Sequence, residues 1–381
     1  MAEFFVVCPI GFENDLAQEL REIEGFLLGA GNLPTTEGYQ ELEPQKGGVR
    51  VQADPLIGLQ IHFFSKLASR LLLRLKRFRA LEFSLLEREL KKIDPAPWIG
   101  AQTFSLKVSS QKSKLGQEKR IFETAQRAWK QLKEDGAQEF YLRAENDEFE
   151  LSLDLTGEHL HRRGSGRDLG GVAPIRETLA AALLRFLIGE APLSRLQNVT
   201  LIDPMAGSGT LLAEASRLYQ PNFDRAYAFQ SQKWIPKILL SPTYRQNYRG
   251  FGAPTWAGLM GADQKPEARA RLESLAEGLT ETLETFAPGE LPSGTNPRWV
   301  VSNPPYGERL QKIPAEDLVR ILLEPKPERV AVILPEALAL ELERRWPREN
   351  APNGGPLWSF SKQRVLNGGI PCLLAKFVKN F

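Results

Sequence analysis

The chain has 381 residues, 42 % hydrophobic and 25 % charged, which excludes a wholly disordered chain and at this length predicts two or three domains. The net charge of +2 hides an imbalance: residues 61–130 hold sixteen Lys and Arg against six Asp and Glu, leaving about −8 on the remainder, so one part suits a polyanion and the other does something else. Cys8 and Cys372 are the two cysteines; without partners at ligand spacing they exclude a zinc module or disulfide framework and point to a reducing cytoplasm, while the absence of a signal-like start or a long apolar run predicts neither a signal peptide nor a membrane span.

A short buried strand is predicted over 4–8, and a helix over 14–24 with Leu16, Ala17, Leu20 and Ile23 on one face. Residues 25–48, rich in Gly, Pro and Thr, read as loops and short strands. Phe64, Leu67, Ala68, Leu71, Leu72, Leu75 and Phe78 recur at helical spacing, with Lys66, Arg70, Arg74, Lys76, Arg77 and Arg79 between them. That pattern predicts an amphipathic helix with a basic outer face. A strand over 104–109 precedes a polar loop, a helix over 117–133, and a strand pair over 139–143 and 148–155. Lys107, Lys112 and Lys114, on the first of these strands and its loop, suit phosphate contacts or a solvated surface equally.

The character changes after Thr156. Residues 162–173, rich in glycine and arginine, read as a linker, and the domain boundary is placed near 157–171. A helix over 175–188 follows. Strands over 198–202, 257–262, 298–302 and 329–334 then alternate with helices over 209–218, 266–283, 315–323 and 336–345. Alternation of this kind predicts an α/β domain on a mostly parallel sheet. Two apolar stretches, 358–365 and 372–378, close it as a hairpin.

Two motifs in this second part carry chemistry. Asp203-Pro204-Met205-Ala206-Gly207-Ser208-Gly209-Thr210 ends a predicted strand and opens a helix. Its glycines let backbone approach a ligand, and the helix start offers free N–H groups to an anion. Leu212 stands where a dinucleotide fingerprint needs a third glycine or alanine, and no phosphate-cradling Gly-Lys-Ser/Thr run is present. A Gly-x-Gly turn preceded by an acid fits S-adenosylmethionine better; the ordinary alternative is a tight turn with no ligand. Asp263, at the end of the next predicted strand, can accept from ribose hydroxyls or cap the following helix. The second motif is Asn303-Pro304-Pro305-Tyr306 followed by Gly-Glu-Arg. Two prolines stop the strand and stiffen the turn. The turn carbonyls and the Asn303 side-chain oxygen can accept from an exocyclic amine, and Tyr306 can stack on a base. Such a site catalyses by aiming the amine at a sulfonium methyl.

Together these motifs resemble those of class I amino-methyltransferases. More narrowly they are similar to the THUMP-domain guanine-N2 methyltransferases that act on large-subunit ribosomal RNA. The likeness extends to residues 5–13, 159–164, 173–181 and 228–234, nearly the whole chain. It implies an α/β, Rossmann-like class I methyltransferase domain over 175–381. Ahead of this it implies an α+β region made of a ferredoxin-like segment over 1–56, a THUMP-like RNA-binding domain over 57–156 and a linker over 157–174. It also implies that S-adenosylmethionine is the cofactor, with Gly207, Gly209 and Asp263 touching it, and that Asn303 to Tyr306 hold the base. The expected cofactor set is Asp203, Pro204, Ala206, Gly207, Gly209, Thr210 and Asp263, and the partner is structured RNA, ribosomal rather than transfer RNA.

Two departures from the family stand out. Only 40 positions separate Asp263 from Asn303, and the third strand, with its acid near the adenine, is not evident; Glu281, Glu284 and Glu290 are the substitutes. Ser165-Gly166-Arg167 stands where the family tends to place an aromatic. His62, His159 and His161 read as structural or RNA-facing, Trp234 as core and Tyr244 as a cover for the site. Adenine-N6 methylation is a competing activity, and an RNA-binding assembly factor without methyl transfer is the competing class.

Overall fold

Two seven-stranded sheets organise the chain in the computed structural model, which describes residues 1–29, 37–99, 102–163, 175–248, 256–279, 281–306, 313–352 and 354–380. The first unit comprises Met1–Cys8, Leu16–Leu160 and Asn222–Arg249, the second Pro9–Asp15, His161–Pro221 and Gly250–Phe381. Most of the predicted linker, including Ser165-Gly166-Arg167, lies outside the described residues.

The first unit contains β1 (Ala2–Val7), β2 (Glu41–Gln45), β3 (Gly48–Ala53), β4 (Arg70–Arg79), β5 (Phe104–Gln111), β6 (Gln138–Glu145) and β7 (Glu148–Asp154), ordered β2-β3-β1-β4-β7-β6-β5. All neighbours pair antiparallel except β5 with β6. Of its helices, α1 (Glu13–Gly29) begins just outside the unit, runs longer than predicted and buries the predicted face of Leu16, Ala17, Leu20 and Ile23. The others are α2 (Pro55–Gly58), α3 (Ile61–Phe64), α4 (Phe83–Lys91), α5 (Ala96–Ile99), α6 (Glu118–Ala128) and α9 (Pro242–Tyr248).

The basic amphipathic helix expected over 64–78 is instead α3, a turn and then β4. β4 is an interior strand, bonded to β1 on one edge and β7 on the other. Leu71, Leu72 and Leu73 are therefore buried in succession, without the alternation that marks a half-exposed strand. The intervening arginines meet acids of neighbouring strands: Arg74 pairs with Glu150 at 2.6 Å, and Arg77 with Glu3 and Glu150 at 2.8 Å each. Part of the basic excess is thus neutralised within the sheet.

The expected boundaries also shift. A division at 56/57 would cut one sheet, because β1 joins β3 to β4. The segment from Asn222, expected inside the catalytic span, belongs to the first unit. Asn222 N–H donates to Phe63 O at 2.7 Å, and the rings of Phe223, Tyr227 and Phe229 surround Phe63 at 4.9–5.9 Å. Tyr244 is buried against Tyr248, whose ring meets Phe64. Burial of these aromatics, each a large apolar surface, explains the excursion.

In the second unit β8 (Thr200–Asp203), β9 (Gly258–Ala262), β10 (Leu283–Phe286), β11 (Arg298–Ser302), β12 (Arg329–Pro335), β13 (Trp358–Asn367) and β14 (Ile370–Lys379) are ordered β10-β9-β8-β11-β12-β14-β13. The first five run parallel; β14 is antiparallel to β12 and to β13. Helices α7 (Glu177–Ile188), α8 (Thr210–Arg217), α10 (Pro266–Ala276), α11 (Ala315–Leu323) and α12 (Glu336–Arg345) complete it. The core joins Ile202, Val300, Val330, Val332 and Leu334 of the strands to Leu318, Leu322, Ala339 and Leu342 of α11 and α12. The helix expected over 266–283 ends at Ala276, and β10 is a strand the sequence reading omitted.

Candidate active site

β8 lies between β9 and β11, although it precedes both in the chain. The connections from it run to opposite sides, and ligands of open α/β sheets lie at the carboxyl ends of strands where the order reverses. Here the turns after β8, β9, β10 and β11 line one cavity of about 780 Å³. It contains the two sequence motifs together: Asp203, Pro204, Ala206, Gly207 and Thr210 from the first, Asp263 beside them, and Asn303, Pro304, Pro305 and Tyr306 from the second.

Gly209 is the exception among the expected cofactor residues. It does not line the cavity; a Cβ there would meet Leu275 at 2.6 Å and Leu272 at 2.7 Å. Its φ of +76° and its contact with α10 make it a packing and turn residue. Gly207, with φ +54°, faces open space, so its backbone is the surface a ligand meets.

Hydrogen bonds fix the loop from both sides. Asp203 accepts from Met205 N–H at 3.1 Å and from Ser302 Oγ at 2.9 Å, tying β8 to the strand that carries the second motif. Asp263 accepts from Gly207 N–H at 3.1 Å and from Lys265 N–H at 2.9 Å. It is therefore a tie between two loops and not the cap of α10, whose N-cap is Lys265. Burial pushes the Asp203 carboxyl up to about 7, and the nearby Asp263 charge adds to the shift. Asn303 Oδ1 is buried and has no hydrogen-bond partner among the described residues. A buried acceptor left unmatched is costly, and Asn303 belongs to the cavity wall, so a donor bound there could relieve it. The Tyr306 hydroxyl accepts from Asn367 Nδ2 at 2.6 Å and has Cys372 Sγ at 3.9 Å; burial raises its pKa. The rest of the second motif, 307–309, lies outside the described residues.

None of the three acids offered for the missing third strand lines the cavity. Glu281 is buried elsewhere and accepts from Ser216 Oγ; Glu284 and Glu290 are exposed. β10 instead delivers Phe286, followed by Pro288 and Leu291, an apolar wall. The sequence reading also missed Ile313 ahead of α11, and Asn367 and Ile370 at the tip of the β13–β14 hairpin. The Gly-Gly pair at 368–369 is the signal that could have found the tip. His62 is buried in the first unit, with Nδ1 3.2 Å from Leu59 O and Nε2 3.2 Å from Thr156 Oγ1, a structural role.

Residues 165–323 match the family model described as UPF0020, an RMKL-like methyltransferase domain. This span is a methyltransferase domain of the UPF0020 type. The domain is S-adenosylmethionine-dependent, and a glycine backbone facing open space beside a carboxylate and an apolar wall fits that group. The chain is 30 % identical over 347 residues to the ribosomal RNA large subunit methyltransferase K/L of Chromohalobacter salexigens, covering 81 % of this chain and 44 % of the relative. It is 27 % identical over 337 residues to the protein of the same name from Desulfotalea psychrophila, with the same coverage. The chain thus spans less than half the length of these curated relatives. The crystal structure of "a possible methylase" from Clostridium difficile 630 shares the fold with a TM-score of 0.76 at 22 % identity, over 100 % of this chain and 98 % of that one.

Proposed function

We propose that this chain methylates the exocyclic N2 amine of a guanosine in structured RNA, the large-subunit ribosomal RNA for which the two relatives are named. The observation that carries the reading is that Asn303, whose buried Oδ1 is unmatched among the described residues, lines the same cavity as the glycine loop. When bound, S-adenosylmethionine supplies an electrophilic methyl group. Ala206, Gly207 and Thr210 would hold its amino-acid part, Asp263 its ribose, and Phe286 with Leu291 its base; Asp203 and Pro204 shape the loop. The work of the remaining residues is to hold the amine. Asn303 Oδ1 and the carbonyls of the diproline turn accept its two hydrogens, which leaves the nitrogen lone pair aimed away from them. Tyr306 offers a ring face to the base. Positioning of this kind supplies the catalysis without a strong base.

The first unit acts in this reading as the RNA-gripping region, its THUMP-like and ferredoxin-like parts sharing one sheet without a division at 56/57; the part of the basic excess over 61–130 that is not paired within the sheet supports it. A cytoplasmic setting, read from the two cysteines of the sequence, belongs to the same proposal. The test is nucleoside mass spectrometry of ribosomal RNA from cells lacking the protein. N2-methylguanosine should fall and be restored by the wild-type gene but not by Asn303→Ala. In vitro, Asn303→Ala should lose about 10²-fold or more in turnover while binding S-adenosylhomocysteine within about twofold of wild type. Retained turnover, or loss of N6-methyladenosine in place of N2-methylguanosine, refutes the assignment.

A further inference from the structure

The diproline fixes the backbone that leads into Tyr306, but it sets neither side-chain torsion of the tyrosine itself. A ring that must present one face to a base needs a second point of attachment. The structure supplies one at its far end: the phenolic oxygen accepts from Asn367 Nδ2 at 2.6 Å. Asn367 closes β13 opposite Ile370, across the two-residue connection Gly368-Gly369. Both glycines have positive φ, +59° and +87°, the backbone a tight two-residue hairpin requires. β14 in turn pairs with β12 over seven residues, from Pro335↔Cys372 to Arg329↔Val378. The hairpin tip is therefore held by the same sheet that carries β11 and its Asn-Pro-Pro-Tyr turn. Asn367 and Ile370 both line the cavity.

We propose that Asn367 is a positioning residue, which locks the Tyr306 ring at its hydroxyl end and so sets the plane in which the target base lies. The proposal rests on the function proposed above, in which Tyr306 faces the base. Nothing in the turn demands an asparagine there, because the positive-φ positions belong to the glycines. Its amide is a donor placed for the phenolic oxygen, and alanine would leave that oxygen only the weaker Cys372 thiol, 3.9 Å away, while keeping the hairpin.

The test compares Asn367→Ala, Tyr306→Phe and the double variant, using ribosomal RNA from a strain lacking the protein. Each single change should lower kcat/KM for methyl transfer about tenfold, equivalent to about 1.4 kcal/mol and the size of one hydrogen bond. The double variant should lose no more than Tyr306→Phe, because the Asn367 bond is among those that Tyr306→Phe removes. Melting temperature and S-adenosylhomocysteine affinity should match wild type, which a purely structural role would not predict. Unchanged kcat/KM in Asn367→Ala, or losses that multiply, overturns the proposal. A second readout does not depend on turnover: the Tyr306 ring signals of protein labelled with ¹³C-tyrosine, assigned through Tyr306→Phe. They should shift or average in Asn367→Ala; identical signals overturn the tether even if the RNA assignment stands. Altered signals in a protein that transfers no methyl would keep the tether and refute the function instead.

Discussion

Gly207 and Gly209 share a positive φ, yet the same substitution should act on them through different physics. An L-residue in the left-handed region costs about 1–2 kcal/mol, and both alanine variants incur that. Gly207→Ala adds nothing more to the fold, because its Cβ meets no atom within 4 Å. Gly209→Ala must also move Leu272 and Leu275, whose methyls lie 2.7 and 2.6 Å from the new carbon. Both leucines are buried, so repacking adds roughly 1–2 kcal/mol, for a total of about 2–4. Binding should rank the other way. The Gly207 methyl enters the cavity, so Gly207→Ala should weaken S-adenosylhomocysteine by tenfold or more, about 1.4 kcal/mol. Gly209→Ala, once folded, should bind within about threefold of wild type. Urea denaturation followed by a probe in the second unit gives the first ranking and titration calorimetry the second. Equal stability losses, or a larger binding defect in Gly209→Ala, would show that the division between a cavity glycine and a packing glycine is wrong.

Two buried groups give opposite pH slopes in the two units. Asp203, pushed up to about 7 by burial, keeps its proton in the folded state where the unfolded chain has lost it. Its contribution to stability therefore falls as pH rises from about 4 towards 7, and Asp203→Asn should melt higher than wild type at pH 8 but not at pH 4. His62, pushed down to about 3 by burial, stays neutral where the unfolded chain binds a proton. Its contribution is lost as pH falls from about 6.5 towards 3, and His62→Gln should flatten that limb; melts across pH 3–8 that are parallel to wild type would contradict both. Arg163 and Glu214 form a buried two-point pair, 2.7 Å between Nη2 and Oε2 and 3.2 Å between Nε and Oε1, with side chains 4 % and 0 % exposed. Arg163→Met removes this two-point pair and should lower stability, and adding Glu214→Leu should recover part of the loss. Urea midpoints showing a double variant as unstable as the sum of the singles would count against a coupled pair.

What the sequence made legible follows from how far each signal travels along the chain. Parallel strands buried on both faces read as apolar runs, so β8, β9, β11 and β12 were placed within a few residues of where they lie, and each motif fell on the turn after its strand. β4 misled because its first part, Arg70 to Leu73, is likewise buried on both faces. Its apolar residues, with arginines between them, mimic a helical stripe, and the acids that neutralise Arg74 and Arg77 come from β1 and β7. Glu3 is more than seventy positions away, and no local pattern announces such partners. β10 escaped notice because four residues with none fully buried carry little periodic signal, and the helix pattern before it ran on past its true end at Ala276.

Residues delivered to the site by strand pairing share that difficulty. Phe286 reaches the cavity only because β10 lies beside β9 in register, Leu283 opposite Leu259 and Phe286 opposite Ala262. Asn367 reaches Tyr306, sixty-one positions earlier, only because β14 turns back antiparallel against β12. A shift of one residue in the β12–β14 register would turn Cys372 and Ile370 to the opposite face of the sheet. β13 and its Asn367, paired to that strand, would move with them, and the Tyr306 hydroxyl would lose its donor. The hairpin register thus controls the Tyr306 wall as directly as the diproline does. A cysteine in place of Ile370 and another in place of the exposed Arg320 of α11, with Cys8 and Cys372 replaced by serine, should then report the register through the distance between attached spin labels, and a bimodal distance would mean that the wall has two settings and that the base plane is not fixed by the folded chain alone.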